Sequence, residues 1–146
     1  MAKEIERTFL VKNYNFKEMA TDTIVILQGY LNRDPERTVR IRLANERAFL
    51  TVKGKNQGMS RHEFEYEVPL DDGRQMLSLC SGRILDKTRY IVPYKGHTWE
   101  VDEYNGDLRG LIVTEVELQS EEEEVELPPF AGKEVTGDPR YYNSQL

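Results

Sequence analysis

Charged side chains return at every second position in nearly every extended stretch of this chain, and no other feature restricts its fold as strongly. In Glu4-Ile5-Glu6-Arg7-Thr8-Phe9-Leu10-Val11 the first two carboxylates share one strand face, about 7 Å apart, with Ile5 on the other. Like charges that close repel unless a cation stands beside them. A hard divalent ion held by carboxylate oxygens is a natural compensator.

The device repeats along the chain. Thr38-Val39-Arg40-Ile41-Arg42-Leu43 points both arginines one way and its aliphatic residues the other, and Phe49-Leu50-Thr51-Val52-Lys53 follows after a polar Asn45-Glu46 turn, which predicts a hairpin. Arg61, Glu63, Glu65 and Glu67 share one parity against His62, Phe64, Tyr66 and Val68. Lys87 and Arg89 alternate with Thr88 and Tyr90, Glu100 and Asp102 with Trp99 and Val101, and Glu115 and Glu117 with Thr114, Val116 and Leu118. An open sheet resting on helices, its charged face in water, produces the same alternation. Two details favour convergence on a ligand. Charges are segregated into basic and acidic strands, whereas a solvated face mixes both signs. Arginine is also preferred at Arg40, Arg42, Arg61 and Arg89, and its planar fork suits bidentate contact with phosphate or carboxylate. A polyanion bridged by a metal fits, with basic strands gripping phosphate oxygens and acidic strands holding the cation.

The order Glu4-x-Glu6, Arg40-x-Arg42, Lys53, Arg61-x-Glu63-x-Glu65-x-Glu67, Lys87-x-Arg89, Trp99-Glu100-Val101-Asp102 and Glu115-Val116-Glu117-Leu118 resembles the CYTH superfamily, the triphosphate tunnel metalloenzymes, over essentially the whole chain. The resemblance implies an α+β fold, with a closed antiparallel β-barrel of about eight strands whose charged faces line a tunnel and whose apolar outer faces are covered by helices. It also implies metal-dependent hydrolysis of a triphosphate, inorganic triphosphate foremost, because short bacterial members of similar length cleave it. Two other readings stay open. One is a polyphosphate- or nucleotide-binding module with weak or no hydrolysis; the other is a class IV adenylate cyclase, although no aromatic or amide cluster marks an adenine pocket.

On that resemblance Glu4, Glu6 and Glu117 are the expected metal ligands, with Glu115 close by, and Glu63, Glu65 or Asp102 serve a second ion or orient water. Arg40, Arg42, Lys53, Arg61, Lys87 and Arg89 are the expected phosphate-binding set. The cofactor is expected to be Mg²⁺ or Mn²⁺ and the partner a small-molecule triphosphate. By family analogy two copies could pair through apolar exteriors as a homodimer. One position departs from the pattern: the family signature Glu-x-Glu-x-Lys has Thr8 at its lysine place. Alternation turns Thr8 towards the tunnel and Arg7 away from it, and a hydroxyl donates to phosphate without charge assistance, roughly half as strongly. Weaker binding, slower turnover or a shifted preference is expected.

The remaining composition agrees. A chain of 146 residues without a linker or repeat suits a single domain over residues 1–146. A net charge of -6 argues against a broad nucleic-acid grip. No apolar stretch is long enough to span a membrane and the N-terminus lacks a signal-peptide shape, so a cytoplasmic location is expected. Cys80 sits in an apolar run as an inert buried thiol. Helices are predicted over Asn15–Ala20, over Asp71–Gly82 with capping aspartates at its start, at Ser120–Glu123 by capping-box spacing, and at Asp138–Tyr142 with proline in the first turn. His62 shares the outer parity, His97 follows a turn, and Trp99, Tyr30, Phe64 and Tyr66 are read as outer-face packing.

Overall fold

Each charged alternating stretch is a strand. The computed structural model describes residues 3–146, with strands β1 (Lys3–Val11), β2 (Asp22–Asn32), β3 (Arg37–Ala44), β4 (Arg47–Gly54), β5 (Ser60–Val68), β6 (Ser81–Tyr94), β7 (His97–Tyr104), β8 (Ile112–Glu117) and β9 (Ala131–Glu134). Two α-helices accompany them, α1 (Phe16–Met19) and α2 (Leu70–Ser78). β2 escapes the alternation rule because Ile24-Val25-Ile26-Leu27 is a continuous apolar run.

Neighbours pair antiparallel in the order β5-β4-β3-β2-β6-β7-β8-β1. The ring closes where Lys3, Glu4 and Ile5 of β1 pair with His62, Arg61 and Ser60 of β5, while Glu6 to Leu10 pair with β8. β9 adds to the far half of β1. Closure removes the free edges of an open sheet and forces alternate residues inward and outward. The solvated-face alternative is thereby excluded. Turn chemistry supports the path: Asn45 (φ 52°) closes β3 to β4, and Lys95 with Gly96 (φ 47° and 86°) closes β6 to β7, the left-handed pair a two-residue hairpin needs.

Whereas Phe64 and Tyr66 of β5 point outward but are exposed instead of packed, apolar residues of β1, β6, β7 and β8 form a core outside the barrel. Phe9, Trp99, Val101 and Val116 are buried there with Phe16 of α1, Phe130 and Leu118. The Phe9 and Trp99 rings lie 5.6 Å apart, and the Phe16 edge meets Tyr90 at 5.1 Å. Each such buried side chain stabilises the fold by about 1.5–3 kcal/mol. On the opposite side α2 lies against β3 and β4, and Gly73 permits the approach: a Cβ there would stand 2.4 Å from the Ala48 Cβ. Inside, Leu85, Tyr104 and Val113 with Leu146 form an apolar cluster at one end of the barrel.

Three predicted helices differ. α2 begins at Leu70 after Pro69 and ends before Leu79, because Asp71 and Asp72 belong to its first turn and Gly82 (φ 73°) already lies in β6. Ser120–Glu123 is a turn: Glu123 accepts from the Gln119 amide and meets His97 Nε2 at 2.5 Å, so its carboxylate is recruited by β7 instead of capping a helix. Asp138 does cap a short 3₁₀ turn at Pro139–Tyr141, accepting from the Arg140 amide.

Candidate active site

Because successive strands run antiparallel in fixed register, inward residues meet in rows. Glu6 stands opposite Glu117, Thr8 opposite Glu115 and Glu100 opposite Glu115. The result is an acidic wall on β1 and β8, extended by Glu100 of β7. The facing wall is basic, carrying Arg40 and Arg42 on β3, Lys53 on β4, Arg61 on β5 and Arg89 on β6. Between them lies a cavity of about 220 Å³, about seven times the ~30 Å³ that a water occupies in the liquid.

Glu4, Glu6, Glu63, Glu65, Glu115, Glu117, Arg40, Arg42, Lys53, Arg61 and Arg89 all line this space. Asp102 and Lys87 stand behind it, both buried. Asp102 accepts from Lys87 Nζ at 2.7 Å and from Arg89 Nε and Nη2 at 2.8 and 3.0 Å, so it is engaged in holding cations. Several lining residues were missed by charge patterning alone. Glu100 is placed on the Asp102 face by parity but is given no site role, whereas Thr38, Thr51, Asn143 and Ser144 carry no charge signal. Tyr30 lines the cavity too, contrary to the outer-face reading, because it shares its inward parity with Gln28 on β2.

Electrostatics divide the site. Burial alone would raise the Glu4 carboxyl, yet Lys53 (3.0 Å) and Arg61 (3.3 Å) pull it down to about 2. Glu6 goes the other way: burial, then repulsion from Glu115 and Glu4, push its carboxyl well above the ordinary range. Glu117 is raised by burial and by Glu4 and Glu100, and Glu63 by burial and Glu4. Across the cavity, burial and then Arg40 and Arg89 lower Arg42 to about 9. Burial likewise lowers Lys87 to about 7 against the pull of Asp102. One wall thus has surplus negative charge and the other surplus positive charge.

Whether a divalent cation fits follows from the donor set. Glu6, Glu115 and Glu117 offer hard oxygens without a cationic partner within ion-pair distance among the described residues, and burial with neighbouring carboxylates raises Glu6 and Glu117. That chemistry suits a hard divalent cation. Among the described residues no three His, Cys, Asp or Glu side chains already stand as a metal cage; the carboxylates are spread over two strands.

Arg7 leaves the tunnel, donating to Glu134 at 3.0 and 2.8 Å on the outside. Thr8 faces a smaller recess of about 40 Å³ beside Asn56, Thr136 and Tyr142. A closed barrel of opposed charged rows is thus combined with this motif order, and the model of the CYTH domain matches residues 2–142.

The chain belongs to the CYTH family. Within it, an inorganic triphosphatase of Acetivibrio thermocellus is 43% identical over 147 residues, spanning 100% of this chain and 94% of that protein. An inorganic triphosphatase of Nitrosomonas europaea is 34% identical, spanning 98% and 95%. The crystal structure of the inorganic triphosphatase NE1496 superposes with a TM-score of 0.66 at 32% identity, covering 97% of this chain and 95% of that one. Against the CYTH signature, Thr8 stands where a lysine is usual, and Arg7 does not replace it because Glu134 holds it outside. No helix among the described residues is long and apolar enough to cross a membrane.

Proposed function

We propose that this CYTH protein hydrolyses a terminal phosphoanhydride of inorganic triphosphate with Mg²⁺ or Mn²⁺. The observation that carries the reading is the pair of opposed, incompletely balanced charge rows on one small cavity: Glu6 and Glu117 lack a cation, and Arg42 lacks an anion. A metal–triphosphate complex supplies both at once. Relatives named inorganic triphosphatase at 43% and 34% identity support the choice of substrate. The free thiol of Cys80 is at home in a reducing compartment, and a cytoplasmic place of work is part of the proposal.

Phosphoryl transfer has a loose transition state, so positioning and charge neutralisation carry most of the acceleration. Arg42 presents the free end of its guanidinium fork to phosphate oxygens, with Arg40 and Arg89, each holding a carboxylate, contributing positive charge beside it. Asp102 fixes the Arg89 fork and Lys87 in advance, which removes reorganisation at the moment of reaction. Lys53 and Arg61, steadied by Glu4, complete the phosphate grip. Glu6, Glu115 and Glu117 would hold the ion, which when bound neutralises charge growing on the phosphate oxygens. Glu63, raised and facing the cavity, is the group placed to orient the attacking water.

Phosphate release from inorganic triphosphate, thiamine triphosphate and ATP, each with Mg²⁺, Mn²⁺ or chelator, tests this. Metal-dependent release from inorganic triphosphate is expected. Tight binding without release under every metal would move the protein to the binding-module reading, and cyclic AMP formed with pyrophosphate would move it to the cyclase.

A further inference from the structure

Among the described residues, the cations of the tunnel have carboxylate partners with one exception. Glu4 holds Lys53 and Arg61, Glu65 holds Arg40, and Asp102 holds Lys87 and Arg89. Arg42 has none. Its Nε donates to Gln28 Oε1 at 2.9 Å, and its two terminal nitrogens, on a side chain facing the cavity, make no hydrogen bond to the described residues.

Gln28 is poorly suited to this place on stability grounds alone. It is 0% exposed, and its Nε2 has no acceptor. A buried donor left without a partner is destabilising, and an apolar residue of similar size would avoid the defect. Only the oxygen is used, and chemistry requires that it be the oxygen that faces Arg42, since the guanidinium Nε is a donor. Register places the two residues directly across from each other on β2 and β3. A neutral acceptor fixes the plane of the fork without cancelling its charge. A carboxylate would fix it equally well and neutralise it, as Asp102 does for Arg89.

We infer that Gln28 is a positioning residue that holds Arg42 as the uncompensated phosphate receptor of the tunnel, its terminal nitrogens free for two oxygens of one phosphate. The inference rests on the triphosphate reading of the same site. Repulsion of Arg42 by Arg40 and Arg89 works in the same direction, because an arriving phosphate relieves it.

The test compares the parent chain with Gln28→Glu and Gln28→Met, each alone and combined with Arg42→Met, by initial rates of phosphate release and by calorimetric titration with inorganic triphosphate. Gln28→Glu is expected to raise KM and the dissociation constant about tenfold or more, the equivalent of a lost charge-assisted contact, with kcat much less changed. That penalty should disappear in the Arg42→Met background. Circular dichroism checks folding; should Gln28→Glu not fold, Gln28→Met decides, since loss of the tether alone must still raise KM in an Arg42-dependent way. A KM for Gln28→Glu within about twofold of the parent, or an equal rise without Arg42, overturns the inference and leaves the triphosphate reading standing. A parent chain that neither binds nor cleaves inorganic triphosphate overturns both.

Discussion

The two walls of the tunnel are built by opposite rules. On β6 and β7, Lys87 and Arg89 share Asp102 at 2.7 and 2.8 Å, and all three side chains are buried. That wall carries its own counter-ion and is set before any ligand arrives. On β1 and β8, Glu6 faces Glu117 directly across the ladder, an arrangement that opposes folding when both are ionised. Neither has a cationic partner within ion-pair distance among the described residues; burial raises both carboxyls, helped by Glu115 and Glu4 at Glu6 and by Glu4 and Glu100 at Glu117. The contrast teaches that the basic wall is stabilised by its own carboxylate, whereas the acidic wall gives up stability, which on the proposed reading a cation from solution restores.

The severest challenge to this contrast is Asp102→Asn. Removing the shared carboxylate leaves Lys87 buried without a carboxylate and Arg89 with only Glu100 at 3.4 Å, and a loss of about 3–5 kcal/mol in denaturant unfolding is expected. An unchanged midpoint would mean that the basic wall is not interlocked. Glu6→Gln combined with Glu117→Gln should instead lower metal-dependent phosphate release by about 100-fold or more, near 2.7 kcal/mol of transition-state stabilisation. The metal-free double variant should melt no lower than the parent. Melting well below the parent would show that these carboxylates serve the fold after all.

Proton linkage sharpens the same comparison. Glu6, Glu63 and Glu117 bind protons more tightly folded than unfolded, so their contribution is present below the ordinary value of 4.5 and is lost as pH rises through the raised folded values. Between pH 4.5 and about 7, below the range where the lowered Lys87 adds the opposite slope, the metal-free protein is therefore expected to melt at progressively lower temperature, less so in Glu6→Gln and less so with Mg²⁺ added. Glu4 has the reverse sign: its contribution is present above 4.5 and lost as pH falls towards about 2. A flat melting profile between pH 4.5 and about 7 would remove the surplus negative charge from the account. The smallest effect is expected of Thr8→Lys, which adds a cation beside the acidic wall. Its KM for inorganic triphosphate should fall severalfold, since a charge-assisted contact is roughly twice as strong as one from a hydroxyl. A higher KM would place the lysine in competition with the metal.

Much of the site was legible because strand alternation is a local rule. Glu4 and Glu6, Arg40 and Arg42, or Glu115 and Glu117 declare a common face from spacing alone, and hydrophobic partners such as Ile41 and Val116 declare the other. Tyr30 was misjudged because aromatic residues usually pack in cores, and only the barrel reveals that its side of β2 looks inward. Ser120 to Glu123 carried a valid capping pattern, but the carboxylate went to His97, a partner 26 residues away in sequence. Asp102 read as one more tunnel acid; its engagement by Lys87 and Arg89 depends on the β6–β7 register.

By itself the sequence determined which residues share a face and which strands are acidic or basic, because side-chain direction in a strand follows from backbone geometry over two residues. Tertiary structure alone decided that these faces look at one another across a cavity, that Glu4 belongs to Lys53 and Arg61, and that Arg42 is left with a neutral partner. Those pairings join residues 49, 57 and 14 positions apart. Closure of the sheet, a property of the whole ring, brings them within hydrogen-bond distance.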